Sequence, residues 1–118
     1  MDIDKQLILG NILEIVCDVS DKEYQRRIWI RGDGPEVDSF DDAVCDFFME
    51  SESVLERNKD FSLTNLQYQV LKKFHDEFEN FPMRHDWPGE FIDTPEWEKI
   101  VSLAKNVLDA FQYQKKLV

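Results

Sequence analysis

Two histidines, His75 and His85, two cysteines, Cys17 and Cys45, and 25 carboxylates are the side chains of this 118-residue sequence that could carry chemistry. A metal centre needs cysteine, histidine and carboxylate ligands gathered at short spacing. Here the histidines stand ten residues apart and no Cys-x-x-Cys pair occurs. The acidic stretch around Asp33, Glu36 and Asp38 lacks the alternating ligands and central glycine of a calcium loop. Asp38, Asp41 and Asp42 could together hold a divalent ion, but helix N-capping and solvation account for them better. Gly32-Asp33-Gly34 is followed by neither a third glycine nor Lys-Ser/Thr, and its carboxylates would repel a phosphate.

Nucleophilic chemistry fares no better. Cys45 lies between Val44 and Asp46 beside an apolar stripe, where neighbouring carboxylates disfavour a thiolate. Cys17 belongs to the most apolar segment. Both are expected to be reduced, buried small hydrophobes. Carboxylate pairs are too common in this chain to nominate an acid–base couple. His75 is expected at the edge of a core face, and His85-Asp86 in a surface loop. The reading is a non-enzyme without cofactor or metal.

The net charge is −11, and ten acids against two cations over residues 33–60 give that stretch −8 of it. Such a surface repels nucleic acid and anionic membrane, and it suits either plain solvation or a basic partner. The group Arg26-Arg27-x-Trp29-x-Arg31 has too few cations for a nucleic-acid site. Its arginines are expected to pair with acidic neighbours and hold the turn at 32–38. The N-terminus lacks the positive region of a signal peptide, and the apolar run 7–16 is too short to span a bilayer, so a cytoplasmic protein is expected.

The elements that must position these residues read as helices. Ile3, Leu7, Ile8, Ile12, Ile15, Val16 and Val19 recur at three- and four-residue spacing, with Leu9, Leu13 and Cys17 on the remaining surface, which predicts a central helix over 3–18. Ser20 and Glu23 fit a capping box, stapled by Val19 and Tyr24, opening a helix over 21–31 that Gly32 closes in a left-handed cap. Ile28-Trp29-Ile30 alone would also suit a strand, but both flanks carry helix signals. After a turn at 32–35, Ser39 and Asp42 offer another cap, ahead of the stripe Phe40, Ala43, Val44, Phe47 and Phe48.

Asp42, Asp46 and Glu50 fall four apart and are expected to line one outward face. Residues 51–61 read as polar and irregular, with Val54 and Leu55 as candidate anchors of a short helical turn. Thr64 and Gln67 form a capping box, stapled by Leu63 and Tyr68, for a helix to about Phe81, with Leu71, Phe74, Phe78 and Phe81 inward; Pro82 stops it. Residues 82–94 connect irregularly, pinned by Trp87 and Phe91. Thr94 caps a last helix with Pro95 at its first position, carrying Trp97, Ile100, Val101, Ala104, Val107, Leu108 and Phe111, with Lys115 and Lys116 suited to its C-terminal end. The fold class expected is all-α: a single domain over 1–118, a compact bundle of about five helices.

The stretch Arg27-Ile28-Trp29-Ile30-Arg31-Gly32-Asp33-Gly34-Pro35-Glu36, followed by Ser39-Phe40-Asp41 and Phe47-Phe48, resembles the small acidic immunity proteins of bacterial polymorphic-toxin and contact-dependent growth-inhibition loci. The match covers about residues 5–55. The resemblance implies a cytosolic protein that binds and blocks a delivered toxin domain, without a cofactor, and it carries over no individual contacts. Charge adds that a basic, nuclease-type toxin domain would be approached quickly, and affinity would need buried aromatic anchors. The contact set expected is therefore Asp38, Asp41, Asp42, Asp46 and Glu50 with Trp29 and Trp87; Phe91 and Tyr113 are further aromatic candidates, and each of the four aromatics reads in the first place as core or half-core. Two other classes stay open: an acidic DNA-mimic decoy of a DNA-binding protein, and a small carboxylate-dependent enzyme.

Overall fold

Caps and apolar stripes in the sequence become helices in the computed structural model, which describes residues 3–32, 40–81 and 88–113, with the backbone alone at 3, 4, 40–42 and 88. Helix α1 (Ile3–Val19) is followed by an α-helical turn, α2 (Lys22–Tyr24), that runs directly into a π-helical turn (Gln25–Ile30). Then come α3 (Phe40–Glu56), α4 (Asn65–Glu79), the short α5 (Pro88–Phe91) and α6 (Pro95–Phe111). The protein is an all-α bundle, and the described residues contain no strand.

The four long helices close a ring. α6 packs on α4 and α1, and α3 packs on α1 and α4. The helix expected to be central, α1, is buried only in its second half: Ile12, Leu13, Val16 and Val19 are in the core, while Leu7 is 60% exposed. α6 supplies the longer buried seam, with Trp97, Ile100, Val101, Ala104 and Val107 all inside.

Two aromatic clusters fill the ring. Where α4 ends and α6 begins, Trp97 sits against Phe91 at 4.7 Å, Phe81 at 5.3 Å, Phe78 at 6.0 Å and Trp29 at 6.5 Å between ring centroids. Between α3 and α4, Phe47 and Phe48 pack on Phe74, His75 and Phe78. α5 packs on the π turn, placing Phe91 and Ile92 at 1% exposure. Phe91 thus pins the connection as expected; Trp87 lies outside the described residues, as do Ser39, Pro82, His85, Lys115 and Lys116.

Several local expectations shift. The cap of α2 is Asp21, whose carboxylate accepts from the Tyr24 backbone N–H at 3.1 Å. Ser20 instead donates its hydroxyl to the Cys17 carbonyl at 2.7 Å, closing α1. An aspartate one residue later outcompetes the serine because the preceding helix already engages the hydroxyl. Ile28-Trp29-Ile30 is helical, but wide: Arg31 N–H reaches back five residues to the Arg26 carbonyl at 3.1 Å. Gly32 follows with φ +68, the left-handed stop expected of it.

The structure also carries α3 through Glu56, so residues 51–56 are helical rather than irregular. Ser51 and Val54 are fully buried there. Polar composition hid a stripe that continues at Ser51 and Val54 because serine contributes no apolar signal. The Thr64–Gln67 capping box survives intact, exchanging both bonds, and Thr94 caps α6 by accepting from Trp97 N–H ahead of Pro95.

Candidate functional site on the outer face of α3

A helix turns 100° per residue, so positions four apart drift 40° per step around its axis. That drift corrects the expected outward row. Asp46 is exposed, but Glu50 is half-buried. Its Oε2 lacks a hydrogen-bond partner, and burial, followed by the charge of Asp46, pushes its carboxyl above the usual range. The side chains of Asp41 and Asp42, and the whole of Asp38, lie outside the described residues. The exposed face follows mixed three- and four-residue steps instead: Cys45, Asp46, Met49, Glu52, Ser53 and Glu56.

Met49 is the feature that the sequence reading missed. It is 71% exposed, an apolar side chain with carboxylates on either side of it along the helix. Its exposure follows from the phase set by Phe47 and Val54, which point into the core. Cys45 shares this face, so it is not the buried hydrophobe expected; among the described residues no disulfide joins Cys45 and Cys17.

Trp29, a candidate anchor that also read as core, is core: it is 5% exposed and packs edge-on against Tyr24 and Trp97. Its area stabilises the core and leaves no ring face for a partner. Arg26 does pair with an acid, but with Asp93 beyond α5 at 2.6 Å. Arg27 lies 5.8 Å from the centroid of the Tyr24 ring. The turn at 33–38, which these arginines were expected to hold, is outside the described residues.

His75 occupies the predicted edge of the core face, with only 7% of its surface exposed. Phe48 meets the imidazole edge-on at 5.2 Å. Nδ1 lies 3.1 Å from Asp76 Oδ1. This hydrogen bond, ahead of the contributions of Lys72, holds Asp76 below the usual carboxylate range. An ionised carboxylate only accepts, so Nδ1 carries the proton. The other nitrogen, Nε2, is buried without a hydrogen-bond partner. It faces Glu79 Oε2 at 3.7 Å on the same helix and Glu52 Oε1 at 3.9 Å from α3.

His75 and Glu79 at i and i+4 were legible in the sequence. Glu52 was not, because its segment read as irregular and its partner lies on another helix. Comparisons with protein-family models, curated proteins and solved structures gave no match for this chain.

Proposed function

We propose that the protein is a binding module that neutralises a basic partner, and specifically an immunity protein for a nuclease-type bacterial toxin domain. The observation that carries this reading is the outer face of α3, where Met49, at 71% exposure, sits among Asp46, Glu52 and Glu56. Carboxylates around an apolar centre suit recognition of a cationic surface. The charges speed encounter and set orientation, while a flexible thioether fills an irregular partner pocket. A binder of this kind needs no catalytic group of its own and acts in the cytoplasm, where a delivered toxin would meet its target. Among the described residues no helix is long and apolar enough to cross a membrane, which fits that setting.

The test is co-expression with the toxin domain encoded directly beside the gene, scoring growth and co-purification. Protection that disappears in a Met49→Asp, Asp46→Lys, Glu56→Lys variant, with its circular dichroism unchanged, is the expected result. Full protection by that variant would move the docking surface elsewhere. Tight binding to many unrelated DNA-binding proteins would favour the decoy reading instead.

A further inference from the structure

We propose that Glu52, His75 and Glu79 form a site for a divalent transition-metal ion of the Zn2+ type, which would pin α3 to α4. One ligand atom from each residue lies within 4.8 Å of the others. Exposed carboxylates alone would say little, since acids crowd this surface. The independent observation is His75: its side chain is 9% exposed, its Nε2 has no hydrogen-bond partner, and that nitrogen points between the two carboxylates.

A buried, unpaired polar atom costs free energy unless something binds it. The carboxylate oxygens stand 3.7 and 3.9 Å from Nε2, beyond the about 2.7–2.9 Å of a charge-assisted hydrogen bond. Those separations are near the edge of a tetrahedral site, about 3.4 Å for bonds of about 2.0–2.1 Å. The two glutamates are 63% and 61% exposed, so their rotamers can draw the three ligand atoms together at little cost.

The support behind the ligand is also in place. Metal-bound histidine commonly donates its second ring N–H to a carboxylate, which fixes the tautomer and raises ligand basicity. Asp76 provides that acceptor at 3.1 Å, and Phe48 braces the ring. A mixed nitrogen and carboxylate set favours Zn2+ or a neighbouring first-row ion over Mg2+ or Ca2+, which prefer oxygen alone. Three protein ligands leave a fourth position to water. The ion's role in this inference is structural: a cross-link between helices, with no reaction assigned to it. Glu52 also belongs to the proposed docking face, but the metal site is argued from His75 and is tested with no partner present.

Calorimetric titration of the untagged, metal-stripped full-length protein with Zn2+ at neutral pH tests the site. One ion per chain is expected, and a hundredfold excess over the dissociation constant should raise Tm by about 8–14 °C. The Glu52→Gln, Glu79→Gln double variant, whose changes are both on exposed side chains, should lose that binding and the shift. Asp76→Asn should weaken affinity by about 10–100-fold. Asp46→Asn with Glu56→Gln, on the same acidic face but outside the cluster, should bind as the parent does. Nitrogen NMR of the imidazole should show Nε2 moving on Zn2+ addition while Nδ1 stays protonated. Absence of binding up to millimolar Zn2+ would overturn the site. So would binding that persists in the double variant with the His75 ring nitrogens unmoved.

Discussion

The indole N–H of Trp97 donates to Gln25 Oε1 at 2.9 Å across 72 residues of sequence, and both side chains are fully buried. Gln25 completes its inventory by donating Nε2 to the carbonyls of Asp18 at 3.0 Å and Val19 at 2.8 Å. Those carbonyls belong to the last turn of α1, past which the regular helical bonding stops; that of Asp18 also accepts from the Asp21 backbone N–H at 3.2 Å. One amide therefore closes α1, orients the π turn and seats the hub of the aromatic cluster. Replacing Gln25 with Met keeps the volume but removes the amide that serves the indole N–H and the Val19 carbonyl. We expect a loss of about 2–4 kcal/mol by urea denaturation. A change below about 0.5 kcal/mol would mean that water serves these groups equally well.

Phe47 is fully buried and touches Phe74 and Phe78 across the α3–α4 interface. Phe47→Ala should cost about 3–5 kcal/mol, and Ile100→Ala about 2–5 kcal/mol, as cavity-forming changes in a packed core. Asp46→Asn, one residue from Phe47 but exposed, should stay within about 0.5 kcal/mol. Equal damage from Asp46→Asn and Phe47→Ala would refute the helical phase of α3.

The Thr64–Gln67 capping box gives a finer check. Thr64 Oγ1 accepts from Gln67 N–H at 3.1 Å and Gln67 Oε1 accepts from Thr64 N–H at 2.9 Å. Thr64→Ala should lower stability by about 0.5–2 kcal/mol, and Thr64→Ser should retain most of it. Matching losses in the two variants would assign the effect to packing of the methyl group instead.

The two thiols should separate by exposure. Cys45 is exposed and Cys17 only partly so. A thiol-reactive dye should label Cys45 in the folded protein well before Cys17, and unfolding should equalise them. Reducing agent should leave the Tm of the monomer unchanged. A marked fall would reveal a disulfide and contradict the free-thiol state.

Steering by the acidic face should show in kinetics. With a basic partner, Asp46→Asn and Glu56→Gln together should slow association and flatten its salt dependence, since exposed charges act over a Debye length of about 8–10 Å. Met49→Ala should act chiefly on dissociation, as loss of a central apolar contact does. Stopped-flow mixing at low and physiological salt separates the two effects.

Local signals determined much of this protein. Thr64 with Gln67, Thr94 with Pro95, Gly32 and the stripe from Trp97 to Val107 each carry their meaning within a few residues, because capping and helical periodicity are short-range properties. They sufficed for an all-α bundle, for most of its core and for the edge position of His75. What only the tertiary structure decided involves partners distant in sequence or differences of phase. Trp29 reads as a possible anchor until Tyr24 and Trp97 bury it, and Glu50 reads as solvated until the 40° drift turns it inward. Met49 becomes exposed because Phe47 and Val54 claim the core side of α3. Glu52 meets His75 only when α3 continues past a polar segment and packs on α4. Composition cannot report that meeting, since it arises from the docking of two helices and not from the spacing within either.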